Sequence, residues 1–107
     1  MVAATAVSLE ISRILRNAVR QEASARIHRR ACGKTEVVFE RAGAAIETWQ
    51  LHDRAVMVEL IDAVELMAQV GDRKGEIEIS IGDSLRFFSA TVLKVEDGRE
   101  ASLTLKA

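Results

Sequence analysis

The sequence predicts an α+β domain in which two helices pack on one face of a small antiparallel sheet. Apolar residues recur with the helical period in two segments, residues 6–31 and 54–70. After residue 75 the period changes to two, as in a half-buried strand. Asp97-Gly98 then separates two alternating runs and is the strongest hairpin signal in the chain. The predicted order is α-β-β-α-β-β-β, and the 107 residues fit a single domain over 1–107.

The first predicted helix covers residues 6–31, and Gly33 is its expected stop. Its apolar side chains form one narrow stripe on a helical wheel. The stripe consists of Val7, Ile11, Ile14, Ala18, Ala25 and Cys32, with Leu15 at its edge. The opposite side of this helix is basic and carries Arg13, Arg16, Arg20 and Arg30.

Residues 35–51 allow two interpretations. A hairpin would turn at Ala42-Gly43 and pair Phe39 with Ile46 and Val37 with Thr48. A helix would instead continue into the next segment, because a heptad-like apolar spacing runs through residues 46–70.

We favour the hairpin on two observations. Val37-Val38 is a β-branched run, which is typical of strands. Asp53 interrupts the heptad-like spacing and is a good N-cap for a helix that begins after it.

The helix at 54–70 has apolar residues on more than half of its circumference. Val58 and Leu66 lie outside the main stripe, so we expect this helix to be covered on more than one side. The strands that follow are expected at about 76–81 and 85–96, and a hairpin centred on Asp97-Gly98 would pair Val92 with Leu103 and Ala90 with Leu105. The predicted inner face of the sheet is formed by Val37, Phe39, Ile77, Ile79, Phe88, Val92, Leu103 and Leu105.

Composition and charge exclude several classes of protein. A formal net charge of −1 gives no whole-molecule field that would attract nucleic acid or an anionic membrane. No stretch approaches the roughly 20 apolar residues needed to span a bilayer. Cys32 is the single cysteine, which suits a reducing compartment, and the apolar start lacks the cationic leader of a signal peptide. These observations predict a soluble, cytoplasmic protein.

Residues 81–85 read Ile-Gly-Asp-Ser-Leu and follow a predicted strand. This string resembles the opening block of the GDSL family of serine esterases. The resemblance implies that Ser84 is a nucleophile, which needs a downstream His as base and an Asp that orients it. No His follows His52 in the sequence. We therefore interpret Gly82-Asp83 as a turn between two strands, with Ser84 in solvent.

Residues 31–35 read Ala-Cys-Gly-Lys-Thr, which resembles the tail of a P-loop. The first glycine of that motif would fall at His28, and a P-loop lies between a strand and a following helix. This string comes after a predicted helix and before a predicted strand, which is the reverse order. We expect no nucleotide site here.

No metal or cofactor site is predicted. The metal-prone side chains besides carboxylates are His28, His52 and Cys32, and their spacing matches no known His/Cys ligand pattern. We expect His28 on the flank of the first helix and His52 in a connection between a strand and a helix. No catalytic residue is assigned, and the chain is not expected to be an enzyme.

Basic and acidic residues are unevenly distributed along the chain. Residues 1–34 contain seven Arg or Lys against Glu10 and Glu22, a net charge of +5, whereas the remainder contains eight against fourteen, a net charge of −6. A basic helix can bind phosphate backbones, or it can dock on the acidic face of the second helix in the same chain or in a partner. No aromatic residues interleave with the arginines, and no helix-turn-helix is recognisable.

A homodimer is expected, because a small sheet has exposed edges and the second helix is too apolar for a single cover. The order of elements resembles that of small α/β secretion chaperones, which are acidic dimers, although this chain is predicted to end in a strand. We expect a non-enzymatic interaction, regulatory or assembly protein, such as an adaptor or chaperone. The alternative is a nucleic-acid-associated regulator. The expected interaction surface contains Arg13, Arg16, Arg20, Arg30, Val58 and Leu66.

Overall fold

The structure, a computed structural model, describes residues 4–29, 35–51, 54–70, 75–95 and 98–106. The described residues form two helices and one six-stranded antiparallel sheet in the strand order β3-β2-β1-β6-β5-β4. The elements are α1 (Ala4–Arg20), β1 (Ser24–Arg29), β2 (Thr35–Arg41), β3 (Ala44–Leu51), α2 (Arg54–Val70), β4 (Glu76–Ile81), β5 (Ser84–Val95) and β6 (Gly98–Leu105).

The predicted fold class is confirmed, with one more strand than the sequence indicated. The order is α-β-β-β-α-β-β-β, so that each helix precedes a three-stranded meander, and β1 pairs with β6 to join the two meanders. No helix in the described ranges is long and apolar enough to cross a membrane.

The first helix ends at Arg20, and the prediction that it extends to residue 31 is wrong. Its end is a Schellman motif, in which the Ala23 amide donates to the Ala18 carbonyl at 2.8 Å and the Glu22 amide donates to the Val19 carbonyl at 3.0 Å. Glu22 takes the left-handed position, with φ of 50°. Glycine usually fills this position, so a glutamate there is not recognisable as a helix stop, and Gly33 is the first such signal in the sequence.

Residues 24–29 form β1, one of the two central strands, and the prediction of a helix over them is wrong. Ala25 and Ile27 point into the core, and the alternate residues Arg26 and His28 are only half-buried. Ala25 fits both the helical stripe and the period-two pattern, so this short segment was ambiguous. His28 therefore lies on a strand and not on the flank of a helix.

The hairpin interpretation of residues 35–51 is confirmed, and the helix alternative is wrong. The turn is at Ala42-Gly43, where both φ angles are positive (54° and 81°), as in a type I′ turn. The predicted pairing does not hold along the whole hairpin. A register shift between Phe39 and Glu40 places Phe39 opposite Glu47, and Val37 consequently lies opposite Trp49. At this shift β3 has one residue more than β2. As a result, the side chain of Trp49 instead of that of Thr48 points towards the core.

This turn makes Ala42→Gly a stabilising substitution. An L-residue in the left-handed region costs about 1–2 kcal/mol relative to its usual conformation, whereas glycine adopts this region freely. We expect the free energy of unfolding to rise by about 0.5–1 kcal/mol in urea titrations, after the added chain entropy of glycine is subtracted. The control Ala44→Gly, one step into β3, should lower it. A destabilised Ala42→Gly protein would show that the turn is of another type.

The C-terminal hairpin is confirmed, but its predicted register is wrong by two residues. Val92 pairs with Ala101 and Ala90 pairs with Leu103. Gly98 pairs with Val95, so it begins β6 and does not occupy the second turn position; Asp97 lies outside the described residues. A shift of two preserves the face on which each side chain lies, which explains why the predicted core survives the error.

The core lies between the helices and the inner face of the sheet. All eight residues predicted for the inner face belong to it, with Val92 and Leu105 partly buried. The helices contribute Ile11, Ile14, Leu15 and Ala18 from α1, and Leu60, Ile61, Val64 and Ala68 from α2. The outer face of the sheet is polar at its centre, where the Arg26 guanidinium lies between Glu40 (3.5 Å) and Glu100 (3.3 Å).

Candidate interaction surface

The solvent side of α1 carries three arginines, as the helical wheel predicted. Arg13, Arg16 and Arg20 are all exposed, because they lie opposite the buried stripe of the helix. Arg13 contacts Glu10 at 3.4 Å, and the Arg16 Nε donates to the Ser12 hydroxyl at 3.2 Å. The contacts of Arg13 and Arg16 lie on the surface, where ion pairs contribute little to stability, so these two guanidinium groups can exchange them for a ligand. The Arg20 Nη2 donates to Oδ1 of the buried Asn17 at 2.5 Å.

The three arginines border an open groove of about 530 Å³. Val19 of α1 adds an apolar patch to it, and the two edge strands of the sheet contribute one side chain each, Trp49 from β3 and Ile81 from β4. The groove therefore has cationic walls and apolar surface between them.

Trp49 connects this groove to the core. Its ring meets the buried Phe39 ring edge to face, with 4.8 Å between the centroids and 68° between the planes. The Arg13 guanidinium carbon lies 5.1 Å from the centroid of the Trp49 ring, within the range of a cation–π contact. The indole is therefore held in one orientation at the edge of the sheet.

Helix α1 runs along the edge strand β3 in the opposite direction. Arg13 contacts Trp49, whereas one turn and two turns later Asn17 and Gln21 both donate hydrogen bonds to Oε1 of Glu47, at 2.8 and 2.5 Å. Residue numbers therefore rise along α1 in the direction in which they fall along β3, so the two elements are antiparallel. The arginines consequently lie at a groove that β3 borders through Trp49 and β4 borders through Ile81.

The hydrogen bonds at Glu47 come, in order of size, from Asn17, Trp49 and Gln21, and they hold the pKa of its carboxyl below the ordinary value of 4.5. A lowered carboxyl pKa stabilises the folded state fully above pH 4.5, and that contribution is lost as the pH falls through the lowered value. The carboxylate therefore keeps its negative charge at neutral pH, and Arg20 adds a smaller electrostatic contribution that also lowers its pKa.

Glu47→Gln is expected to reduce the acid sensitivity of the fold. The neutral amide has no proton to bind in this range, so the urea midpoint of the variant should fall less than that of the parent between pH 6 and pH 3. Glu78→Gln, at an exposed position of β4, is the matched control for the removal of one carboxylate. Equal acid sensitivity of parent and Glu47→Gln would contradict the role assigned to this carboxylate.

Two acidic residues of α2, Asp62 and Glu65, contact β6 within the chain. Arg99 of β6 contacts Asp62, and its Nη1 lies 3.9 Å from Glu65. These two carboxylates therefore lie against β6, and the α1 arginines are left at the groove.

The structure gathers only part of the predicted interaction surface. Arg13, Arg16 and Arg20 come together at the groove, and Leu66 of α2 is exposed at 59%. Arg30 and the side chain of Val58 lie outside what the structure describes. Sequence patterns missed the groove-lining Trp49 and further exposed leucines, which are Leu9, Leu85 and Leu93.

The motifs that resemble catalytic strings do not form a site among the described residues. Ser84 is exposed at the start of β5 and pairs with Ile81 across the Gly82-Asp83 turn, as expected. Of the P-loop-like string, the structure describes only Thr35, which begins β2; Cys32 and Gly33, like His52, lie outside it.

One histidine and one carboxylate meet on the outer face of the sheet. His28 Nε2 lies 3.1 Å from Glu36, and Gln50 donates to the other oxygen of that carboxylate at 2.7 Å. Within the described part of the chain, no group of three His, Cys, Asp or Glu residues could hold a metal ion. This cluster joins β1, β2 and β3 across the sheet.

The groove and the exposed leucines are thus the candidate functional features of the described residues. None of the models of known protein families matches the sequence, and no curated protein matches it either.

Proposed function

We propose that this chain is a non-enzymatic interaction protein, of the adaptor or chaperone type, that acts as a homodimer in the cytoplasm. The exposure of Leu66 carries the proposal. This large apolar side chain is 59% exposed on α2, and Leu9 of α1 is 63% exposed. Burial of a leucine is favourable by about 1.5–3 kcal/mol, so a second copy that covers such residues gains stability.

Two further features support the proposal. Edge strands such as β3 and β4 are surfaces on which other chains can pair. The single cysteine of the sequence cannot form an intrachain disulfide, which suits a reducing compartment.

Sedimentation equilibrium at micromolar concentrations tests the homodimer. The parent is expected at twice its 11.8 kDa chain mass. Leu66→Glu should shift the protein to monomer, because a charge at the centre of an apolar contact is strongly unfavourable. Leu93→Glu is the matched control, since Leu93 is 52% exposed on β5, and it should remain dimeric. A monomeric parent, or dissociation caused by Leu93→Glu alone, would contradict the proposed surface.

The second candidate function is nucleic-acid-associated regulation through α1. The three exposed arginines favour it, but from Arg13 to Arg20 the helix rises only about 10 Å. Arg26 is engaged by Glu40 and Glu100, and Arg86 donates to both carboxylate oxygens of Glu22 at 3.2 Å. Retention on DNA that falls steeply with salt would support this candidate.

A further inference from the structure

We propose that the groove binds an extended acidic peptide, which adds to the free edge of β3 as an outer strand and places alternate glutamates against Arg13, Arg16 and Arg20. This inference rests on the proposed function as an interaction protein and names the class of partner.

The first observation is the unprotected edge of β3. The strand is eight residues long and lies at one end of the sheet, so that among the described residues no strand neighbours one side of its backbone. Natural edge strands are usually protected by Lys, Pro or short length. Residues 44–51 contain no Lys, Arg or Pro, and their single charge is Glu47, which α1 engages.

The second observation is that the cations lie at a groove that this strand borders through Trp49. Because α1 runs along β3, a strand added there would direct every second side chain to the helix side of the sheet. Alternate residues of a strand are about 7 Å apart, and Arg13 and Arg20 are about 10 Å apart along the helix, so the groove matches two carboxylates. Arginine binds carboxylates in a two-pronged geometry, which favours glutamate as the partner.

The third observation is the apolar part of the groove. Val19 and Trp49 of the groove can pack against the methylene groups of the glutamates.

The test uses the full chain and a capped octapeptide of alternating glutamate and threonine. Trp49 is the only tryptophan of the chain, so its fluorescence reports binding at the groove directly. We expect saturable binding of this peptide, and binding about tenfold weaker of a peptide with the same composition in two blocks, which cannot direct its glutamates to one side.

Single substitutions identify which arginines contact the peptide. Arg16→Ala and Arg20→Ala should each raise the Kd about tenfold, the usual effect of losing one charge-assisted hydrogen bond. Arg99→Ala, which removes the same charge beside α2, should leave the Kd unchanged. Thermal unfolding of each variant verifies that it is folded.

Backbone methylation tests strand addition separately from charge. The amides of an added strand point alternately to β3 and to solvent. Of two octapeptides that are N-methylated at alternate residues in opposite phase, only one should bind. Equal binding of both, or of neither, would overturn strand addition, and an octanucleotide that binds more tightly than the peptide through the same arginines would overturn the choice of partner.

The same titrations keep the two proposals distinguishable. A dimeric protein that does not bind the alternating peptide overturns this inference and leaves the homodimer standing. A monomeric protein that binds it overturns the homodimer and supports the peptide site.

Discussion

Phe39→Ala is expected to lower the free energy of unfolding by about 3–5 kcal/mol, the usual cost of deleting a buried phenylalanine side chain. Phe39 is fully buried on β2 and contacts the Trp49 ring edge to face. The substitution removes apolar contact and leaves a cavity in the core. It also removes the aromatic partner of Trp49, so the native fluorescence of the indole should change.

The control is Phe87→Ala on the outer face of β5, where the phenylalanine is only half-buried. The same atoms are deleted, but part of their surface is already in water, so the loss measured in urea should be smaller. A loss below about 1 kcal/mol for Phe39→Ala would contradict the assigned inner face, since surface positions give losses of that size.

Ile27→Ala should lower the free energy of unfolding by about 2–5 kcal/mol. Ile27 is fully buried in β1, and this strand pairs with β2 on one side and β6 on the other. Both meanders therefore depend on the packing at this position. Urea unfolding followed by circular dichroism measures the loss.

Ile46→Ala provides the comparison for Ile27. Ile46 lies on the edge strand β3 and is 36% exposed, so its truncation should cost about 1 kcal/mol or less. Equal losses for the two isoleucines would show that residues 24–29 do not form a central strand.

The two helices, the β2–β3 hairpin and the inner face of the sheet followed from local patterns. The alternation of Ile77, Ile79 and Ile81 and the paired positive φ angles at Ala42-Gly43 are properties of short segments. Such patterns can be recognised in the sequence because the face on which a side chain lies is set by the helix or strand period of its neighbouring residues.

The end of α1 and the strand β1 did not follow from the sequence. A Schellman motif with Glu22 in place of glycine carries no compositional signal, and tertiary contacts hold it, since Ala18 and Ala23 are both buried. The bulge at Phe39/Glu40 is similarly set by the packing of Trp49 on the core. Registers counted outward from a turn cannot anticipate such a shift.

The arginines of the candidate site could be predicted from the sequence, whereas the position of Trp49 could not. The helical wheel placed Arg13, Arg16 and Arg20 on one side of the first helix, and the structure confirms their exposure. The position of Trp49 beside Arg13 depends on the sheet order, which brings residues about thirty-six apart in the chain together. No local pattern encodes that approach.

Small-angle X-ray scattering of the parent protein tests the homodimer most directly. A single chain has a Cα radius of gyration of 13.0 Å and a mass of 11.8 kDa. The forward scattering is predicted to give twice this mass, with a radius of gyration well above 13.0 Å, at micromolar and higher concentrations. A mass of 11.8 kDa at every concentration would contradict the proposal that this protein acts as a homodimer.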